Sequence, residues 1–276
     1  MIFLNKEPVE THKFSGGECH VKLPVPYHKE EAHIDACLYN SDDIMSLMMT
    51  VDALRQINGM MKINVTIPYF PYARQDRVCE PGEAFSLKVM ADLINSLKVD
   101  SVVVIDPHSK MTPSLLDNCM VYDQHACVTT HMWHMLRNTD TTLVAPDEGA
   151  KEKTLNLACD LGVDYITCTK VRDTKTGDIT KTYVPQGNPT RNYMIIDDIC
   201  DGGRTFINIA NILMEDGVPR KNLSLYVTHG IFSNGFAELV SRFEKLYCYH
   251  LFPNVDTHTL PFGYLTVFKG EKSYVH

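Results

Sequence analysis

Three aspartates and two glycines stand together in the second half of the chain, in a pattern that suits the binding of a phosphorylated sugar. Residues 193–210 read YMIIDDICDGGRTFINIA, with Asp197, Asp198 and Asp201 after an apolar run and just before two glycines. Glycines let a backbone approach an anion closely, and the N–H groups of a following helix favour negative charge. The carboxylates suit sugar hydroxyls or Mg²⁺ that bridges to phosphate oxygens. The alternative interpretation is a solvated acidic turn that caps a helix.

A second polar segment follows an aromatic, proline-bearing strand end. Residues 67–77 read IPYFPYARQDR and finish with Arg74, Gln75, Asp76 and Arg77. Two arginines on one loop fit a polyphosphate, because each guanidinium group can donate two parallel hydrogen bonds to phosphate oxygens. A structural ion pair within the loop is the alternative.

A histidine marks a third strand end. Residues 101–109 read SVVVIDPHS, so that Asp106 and His108 come just past a buried apolar run. A lone histidine in such a place is more often structural than a ligand. Its position two residues after an aspartate favours a metal ligand or a phosphate contact.

These segments must be positioned by strands that alternate with helices, which is the pattern of βαβ units with parallel sheets. Short apolar runs predict strands at 62–70, 100–108, 141–146, 163–171, 193–197 and 222–230. Helical patterns lie between them, at 42–57, 85–97, 151–162, 205–217 and 236–246. The alternation starts afresh near residue 140, which predicts two α/β domains, 1–138 and 139–276. The polar segment 171–182 is predicted to be a mobile loop or an exposed hairpin.

Composition narrows the class of protein. The 276 residues carry a net charge of -8, and no basic run offsets it, which argues against a nucleic-acid partner. Nine cysteines without a CxxC pair favour reduced thiols and a cytoplasmic setting. No stretch approaches the roughly 18 apolar residues that span a membrane. We therefore expect a cytoplasmic protein that binds neither nucleic acid nor membrane.

Taken together, the segments resemble motifs of the ribose-phosphate pyrophosphokinases, or PRPP synthetases, in the same order along the chain. The family motifs DDMIDTGGT, PYFGYARQDR, FSDGE, DLH, PDxGG and THPIFS correspond here to DDICDGGRT (197–205), PYFPYARQDR (68–77), FSGGE (14–18), DPH (106–108), PDEGA (146–150) and THGIFS (228–233). So many matches in one order make the resemblance specific.

The resemblance implies an α/β protein with two tandem phosphoribosyltransferase-like domains, each with a mostly parallel sheet flanked by helices. It implies that ATP gives its β,γ-diphosphate to the anomeric hydroxyl of ribose 5-phosphate, which yields PRPP and AMP, with Mg²⁺ as the cofactor. In the family, the FSDGE segment contacts adenine from a neighbouring subunit. A homo-oligomer, dimer or hexamer, is therefore expected.

The resemblance also implies roles for individual residues. ATP binding is implied for Phe14, Glu18, Arg74, Gln75, Asp76 and Arg77, and ribose-phosphate binding for Asp197, Asp198, Asp201, Gly202, Gly203, Arg204 and Thr205. Metal binding is implied for His108, Asp147, Asp197 and Asp198, and a catalytic role for Lys170, Arg172 and His108. Lys170 and Arg172 stand in KVR where the family carries KRR on a mobile loop.

The phosphate loop departs from the family at two positions. The threonine of the family is Gly202 here, and its second glycine is Arg204. A lost hydroxyl and a gained cation fit a larger 5′ substituent, such as a diphosphate. A viral branch of the family looks similar and uses ADP-ribose as the acceptor, making ADP-ribose 1″-pyrophosphate for NAD⁺ synthesis. Ribose 5-phosphate is the first expectation, with Arg204 directed to solvent, and ADP-ribose is the alternative.

Two other classes of function share parts of this pattern. A phosphoribosyltransferase has the acid–acid–glycine turn but consumes PRPP, and it has no use for ARQDR or FSGGE. A non-catalytic partner of a PRPP synthetase is the other class, and such relatives usually disrupt the catalytic segments with insertions. Lys170, Arg172, His108 and the three aspartates are all retained here. We therefore expect an enzyme.

Overall fold

The chain folds into two compact units, Met1–Asp123 and Gln124–His276. The computed structural model describes residues 1–25, 27–172, 179–258, 260–269 and 274–275, and only the backbone at 170–172, 179–181, 269 and 274–275. Each unit has a mostly parallel sheet with helices in the connections, which confirms the predicted α/β class. Among the described residues, we find no helix with the length and apolar character that crossing a bilayer requires.

The N-terminal unit contains a six-stranded sheet with the strand order β2-β1-β5-β6-β7-β8. Its strands are β1 (Ile2–Leu4), β2 (Glu7–Pro8), β3 (Thr11–Lys13), β4 (Cys19–Val21), β5 (Glu31–Ala36), β6 (Lys62–Ile67), β7 (Ser101–Ile105) and β8 (Cys119–Tyr122), and its helices are α1 (Ser41–Ile57), α2 (Ser86–Asn95) and α3 (Thr112–Leu115). Strands β5 to β8 are parallel, whereas β3 and β4 form a separate antiparallel hairpin. The carboxyl ends of β6 and β7 therefore lie at the same edge of the sheet.

The C-terminal unit contains a seven-stranded sheet with the order β10-β9-β13-β14-β15-β16-β17. Its helices are α4 (Gln124–Leu136), α5 (Glu148–Leu161), α6 (Arg204–Glu215) and α7 (Ala237–Arg242), and its strands are β9 (Thr141–Ala145), β10 (Asp164–Thr167), β11 (Thr169–Arg172), β12 (Ile179–Tyr183), β13 (Asn192–Cys200), β14 (Leu223–Gly230), β15 (Lys245–Leu251), β16 (Leu265–Lys269) and β17 (Tyr274–Val275). All neighbouring pairs from β10 to β16 are parallel, and β17 is antiparallel to β16. The ends of β9, β13 and β14 thus share one edge.

Helical periodicity explains how the helices attach to these sheets. Helix α6 buries Phe206, Ile209, Ala210 and Leu213, a spacing of three and four residues that forms one apolar stripe. The stripe packs into the same core as the strand residue Ile195, and this fixes the start of the helix beside the end of β13. Core packing in the C-terminal unit therefore positions the glycine-bearing loop between β13 and α6.

The structure divides the chain after Asp123, so helix α4 belongs to the C-terminal unit. The predicted boundary, after residue 138, would have assigned this helix to the N-terminal domain. Nε2 of His125 lies 2.8 Å from Oδ2 of Asp160 on α5. The ring of His131 stacks on Phe268 of β16 at a centroid distance of 4.8 Å. These contacts attach α4 to the second unit. They join residues that are far apart in sequence, and strand and helix periodicity does not predict such contacts.

The strands predicted at 193–197 and 163–171 differ from the structure in extent. The strand predicted at 193–197 runs from Asn192 to Cys200, so the first two aspartates lie inside it. The run at 163–171 forms two strands, β10 and β11, with only residue 168 between them. β11 pairs with β12 in an antiparallel hairpin, and residues 173–178 of the polar segment lie outside the described residues.

Candidate active site

The carboxyl end of β6 carries the arginine-bearing segment of the N-terminal unit. Phe70 and Ala73 are buried and fix the chain to the core, while Arg74, Gln75 and Arg77 are exposed. The turn between them depends on Tyr72, whose φ of 63° lies in the left-handed region that non-glycine residues rarely adopt. Strained backbone of this kind is concentrated at functional sites. The segment therefore presents its polar side chains outward from a firmly held loop.

A serine beside the candidate histidine fixes Asp76 in this segment. Oγ of Ser109 donates a hydrogen bond of 2.9 Å to Oδ2 of Asp76. The other carboxylate oxygen of Asp76, Oδ1, accepts a hydrogen bond from Nε of Arg77 at 3.3 Å. Ser109 is buried, and the neighbouring His108 is exposed at the same edge. The structure thus joins the two strand ends that carry the candidate ATP residues and His108.

The backbone at the end of β7 is also strained. Asp106 is almost fully buried and has a φ of 37°, and its N–H donates to the carbonyl of Tyr122 at 2.9 Å. Aspartate tolerates the left-handed region better than most residues do. This turn directs the chain so that His108 comes to the surface.

Phe14 and Glu18 lie at the tip of the β3–β4 hairpin. The N–H of Phe14 donates to the carbonyl of Glu18 at 2.9 Å, and the Phe14 ring is half exposed between His12 and His20. A Cβ atom at Gly16 would lie 2.6 Å from Oε2 of Glu18. The glycine in place of the aspartate of the family thus leaves room for the Glu18 carboxylate.

In the C-terminal unit, Asp197 and Asp198 lie within the last residues of β13. Asp198 is buried and Asp197 is partly buried. The pKa of the Asp197 carboxyl is raised well above its usual range, first by burial and then by the charges of Asp198 and Asp147. A cation close to Asp197 would offset this repulsion and favour the charged carboxylate.

Asp147, whose charge contributes to the raised pKa of Asp197, also has a structural role. It is the N-cap of α5, and its Oδ1 accepts hydrogen bonds from the N–H groups of Gly149 at 3.0 Å and Ala150 at 3.2 Å. The strand before it, β9, is a neighbour of β13, which brings Asp147 close to Asp197. The predicted metal residue is therefore also a structural cap.

The donor set suits Mg²⁺ that is shared with a substrate. In the part of the chain that the structure describes, no group of three or more His, Cys, Asp or Glu side chains could hold a metal ion unaided. Mg²⁺ is commonly bound by one or two carboxylates and completed by water and substrate phosphate oxygens. Asp197 and Asp198 offer oxygen ligands of this kind, and His108 lies in the other unit.

A short loop leads from the acids into α6. Gly203 has a φ of 77° and is the N-cap of the helix, and among the described residues no side chain caps the first turn. The N–H groups of an uncapped first turn can bind a phosphate. Arg204 is the exposed first residue of the helix, and Thr205 follows it. The residues predicted to bind ribose phosphate are therefore contiguous with the acids.

Three residues in or near these segments differ from those described above. Cys200 closes β13, and burial raises the pKa of its thiol, which makes it a packed side chain and not a nucleophile. Lys170 and Arg172 belong to β11, and their side chains lie outside the described residues. Their catalytic role stays a prediction.

Comparison with known protein families supports the pattern. Residues 3–97 match the model for the N-terminal domain of ribose phosphate pyrophosphokinase. A ribose-phosphate pyrophosphokinase from Pyrococcus abyssi is 31% identical over 239 residues, which are 85% of this chain and 80% of the relative. One from Thermococcus kodakarensis is 30% identical over 235 residues, 85% of this chain and 81% of the relative.

A solved structure has the same fold. The phosphoribosylpyrophosphate synthetase from Mycobacterium smegmatis superposes with a TM-score of 0.77 over 94% of this chain and 85% of its own, at 22% identity. The similarity supports the predicted architecture of two tandem phosphoribosyltransferase-like domains.

Proposed function

Because the chain belongs to the ribose-phosphate pyrophosphokinase family, we propose that it transfers the β,γ-diphosphate of ATP to the anomeric hydroxyl of a ribose 5-phosphate group. The observation that carries the proposal is the acid pair Asp197 and Asp198 directly before a glycine loop and an uncapped helix start. One segment thus combines acids that can bind sugar hydroxyls with helix N–H groups that no described side chain caps and that can bind a phosphate. The relatives named above support the type of reaction.

The reaction needs no covalent intermediate with the protein. The anomeric oxygen attacks the β-phosphorus, the bond from that phosphorus to the oxygen of the α-phosphate breaks, AMP leaves, and the hydroxyl proton passes to solvent. Negative charge increases on the transferred oxygens, so cationic groups are the main source of catalysis. We assign this role to Lys170 and Arg172, with His108 assisting.

ATP is assigned to the N-terminal unit. Arg74, Gln75 and Arg77 are exposed and can reach phosphate oxygens, while Asp76 is bound to Ser109 and orients Arg77. Phe14 and Glu18 are assigned to adenine. Because the family places this contact across subunits, we also propose a homo-oligomer, and the exposed ring of Phe14 supports it.

Mg²⁺ is the proposed cofactor, held by Asp197 and Asp198 with Asp147 nearby. When bound, it would neutralise charge on the diphosphate oxygens and offset the repulsion that raises the pKa of Asp197. Asp201 and the N–H groups of Gly202 and Gly203 would hold the ribose and its 5-phosphate. Nine free cysteines support a reducing, cytoplasmic setting.

ADP-ribose is a second candidate acceptor because of Arg204. The residue is exposed at the positive end of α6, where a cation is unfavourable. Its guanidinium group forms no hydrogen bond or ion pair with any described residue. An additional phosphate on the acceptor would give it a partner.

AMP release from Mg-ATP tests these proposals, with ribose 5-phosphate in one reaction and ADP-ribose in the other. AMP with either acceptor supports the diphosphate transfer and identifies the acceptor. Asp197→Asn is the inactive control. Absence of AMP in both reactions would contradict the proposal and favour a non-catalytic partner of a PRPP synthetase.

A further inference from the structure

The segment that follows β14 wraps around the loop between β13 and α6. The N–H groups of Ile231 and Phe232 donate to the carbonyl of Cys200 at 2.8 and 3.1 Å. The N–H of Ser233 donates to the carbonyl of Asp201 at 3.2 Å. Residues 231–234 therefore follow the acceptor loop residue by residue, and we call them the clamp segment.

The side chains of the clamp segment add two contacts of their own. Oγ of Ser233 donates to Oδ1 of Asp201 at 2.6 Å, and Nδ2 of Asn234 donates to the carbonyl of Gly202 at 3.3 Å. One contact orients a carboxylate assigned to the ribose, and the other reaches the backbone of the phosphate loop. The side chains of Ser233 and Asn234 are both exposed.

Buried residues hold the clamp segment in this position. Phe232 is buried and has a φ of 45°, which is unusual for a bulky side chain. Its ring packs on Phe236 at a centroid distance of 4.7 Å. A Cβ atom at Gly230 would lie 2.2 Å from the Phe232 ring, so only glycine fits there. The strained turn is thus stabilised by packing and aims Ser233 and Asn234 at the loop.

The side chain of Asn234 lies where a side chain at position 202 would extend. A Cβ atom built on Gly202 would lie 2.8 Å from Nδ2 of Asn234 and 3.5 Å from its Cγ. A threonine at 202, as in the family motif, would displace the asparagine amide. A threonine side chain at 202 and the amide of Asn234 in its present position therefore exclude each other.

We propose that Asn234 determines how the acceptor's 5′-phosphate is bound, its amide acting as the hydrogen-bond donor that a threonine hydroxyl at 202 would otherwise supply. The amide nitrogen carries two hydrogens, and one is used by the carbonyl of Gly202. The second can donate to a phosphate oxygen, and the neutral side chain does not repel that anion. Ser233 acts as a positioning residue for Asp201. This inference rests on the proposed function of the loop.

A double-mutant cycle on the full-length protein tests whether the Asn234 amide replaces a threonine hydroxyl at position 202. Asn234→Ala is expected to raise the KM of the acceptor by roughly tenfold, the low end for a hydrogen bond to a charged group, and to leave the KM of ATP unchanged. Gly202→Thr alone is expected to cause a similar loss because it displaces the amide. The double variant is expected to bind the acceptor at least about threefold better than Asn234→Ala, since the hydroxyl then has room. Multiplicative losses would overturn the proposal.

Calorimetric binding of ribose 5-phosphate and of ADP-ribose without ATP separates this inference from the reaction. If wild type releases no AMP but Asn234→Ala weakens acceptor binding, the proposed function fails and the inference stands. If turnover is normal and Asn234→Ala leaves both binding and KM unchanged, the inference alone fails. Asn208→Ala is the matched control, because Asn208 donates to Oγ1 of Thr182 at 2.9 Å and not to the loop.

Discussion

The N–H of Asp198 donates a hydrogen bond of 3.0 Å to Oδ1 of Asp197, the residue directly before it in the same strand. This bond favours a charged Asp197 carboxylate, but burial and the neighbouring charges outweigh it, and the pKa of Asp197 is raised well above its usual range. The two acids are therefore unfavourable for the protein without a ligand. Such a cost is expected where carboxylates are arranged for a cation and a sugar.

Asp197→Asn is expected to stabilise the metal-free protein at neutral pH. The raised pKa means that the folded state holds the Asp197 proton more tightly than the unfolded chain does. The free energy of unfolding therefore falls as the pH rises from about 4 toward the raised pKa, and the full loss is present above it. Asparagine has no charge to bury. The melting temperature of the variant minus that of wild type should grow between pH 4 and pH 8, and a difference that shrinks would contradict the assignment.

The same variant is expected to lose the response to metal. Wild type should gain melting temperature when MgCl₂ and ribose 5-phosphate are added together at pH 8, because a bound ligand stabilises the folded state. Asp197→Asn should gain much less, and its kcat/KM should fall by about 100-fold or more. Asp52→Asn, which changes an exposed aspartate on α1, is the control and should behave as wild type.

Ser109→Ala is expected to raise the KM of ATP by roughly three- to tenfold, the value of one hydrogen bond, because Asp76 loses its buried donor and no longer orients Arg77. The KM of the acceptor should stay unchanged. Steady-state kinetics with each substrate varied in turn measure both constants. Ser96→Ala removes a hydroxyl that donates only to the carbonyl of Leu93, and it serves as the control. Equal effects of the two variants would exclude a specific role for Ser109.

The sequence predicts the strand ends of the candidate site well, because alternating strands and helices place the carboxyl ends of parallel strands at one edge. The segments ending at Arg77, His108 and Thr205 all follow such strands, as expected. The continuation of β13 to Cys200 is not predictable from propensity, since Asp197 and Asp198 are poor strand formers. Pairing with β14 carries the strand onward in spite of them.

Partners that depend on tertiary packing could not be predicted. Ser109 and Asn234 are ordinary polar residues in sequence, and only the fold brings them to Asp76 and Gly202. Strand β15 was not predicted, and the reason is local. Helix α7 ends at Arg242 and β15 begins at Lys245, so the predicted helix at 236–246 ran across both elements without a glycine or proline to divide them.

Arg204→Gln is expected to make the free protein more stable and the enzyme less efficient. A cation at the first residue of α6 opposes the helix dipole, so its removal should add about 0.3–1 kcal/mol to the free energy of unfolding. If an acceptor phosphate is the partner of this cation, the KM of the acceptor should rise several-fold. Lys221→Gln removes another exposed cation of the same unit and is the control. A higher free energy of unfolding without any change in the KM of the acceptor would show that Arg204 does not bind the acceptor.

Asp147 combines a structural role with a proposed functional one, and two substitutions can distinguish them. Its carboxylate caps α5 through Gly149 and Ala150, and its charge contributes to the raised pKa of Asp197. Asp147→Ala should lower the free energy of unfolding by about 1 kcal/mol, the cost of a lost N-cap, whereas Asp147→Ser keeps a capping oxygen and should stay close to wild type in denaturant titrations. If Asp147 helps to bind Mg²⁺, both variants should need more MgCl₂ for half-maximal AMP release. If the serine variant has the Mg²⁺ dependence of wild type, the residue is a cap and the metal depends on Asp197 and Asp198.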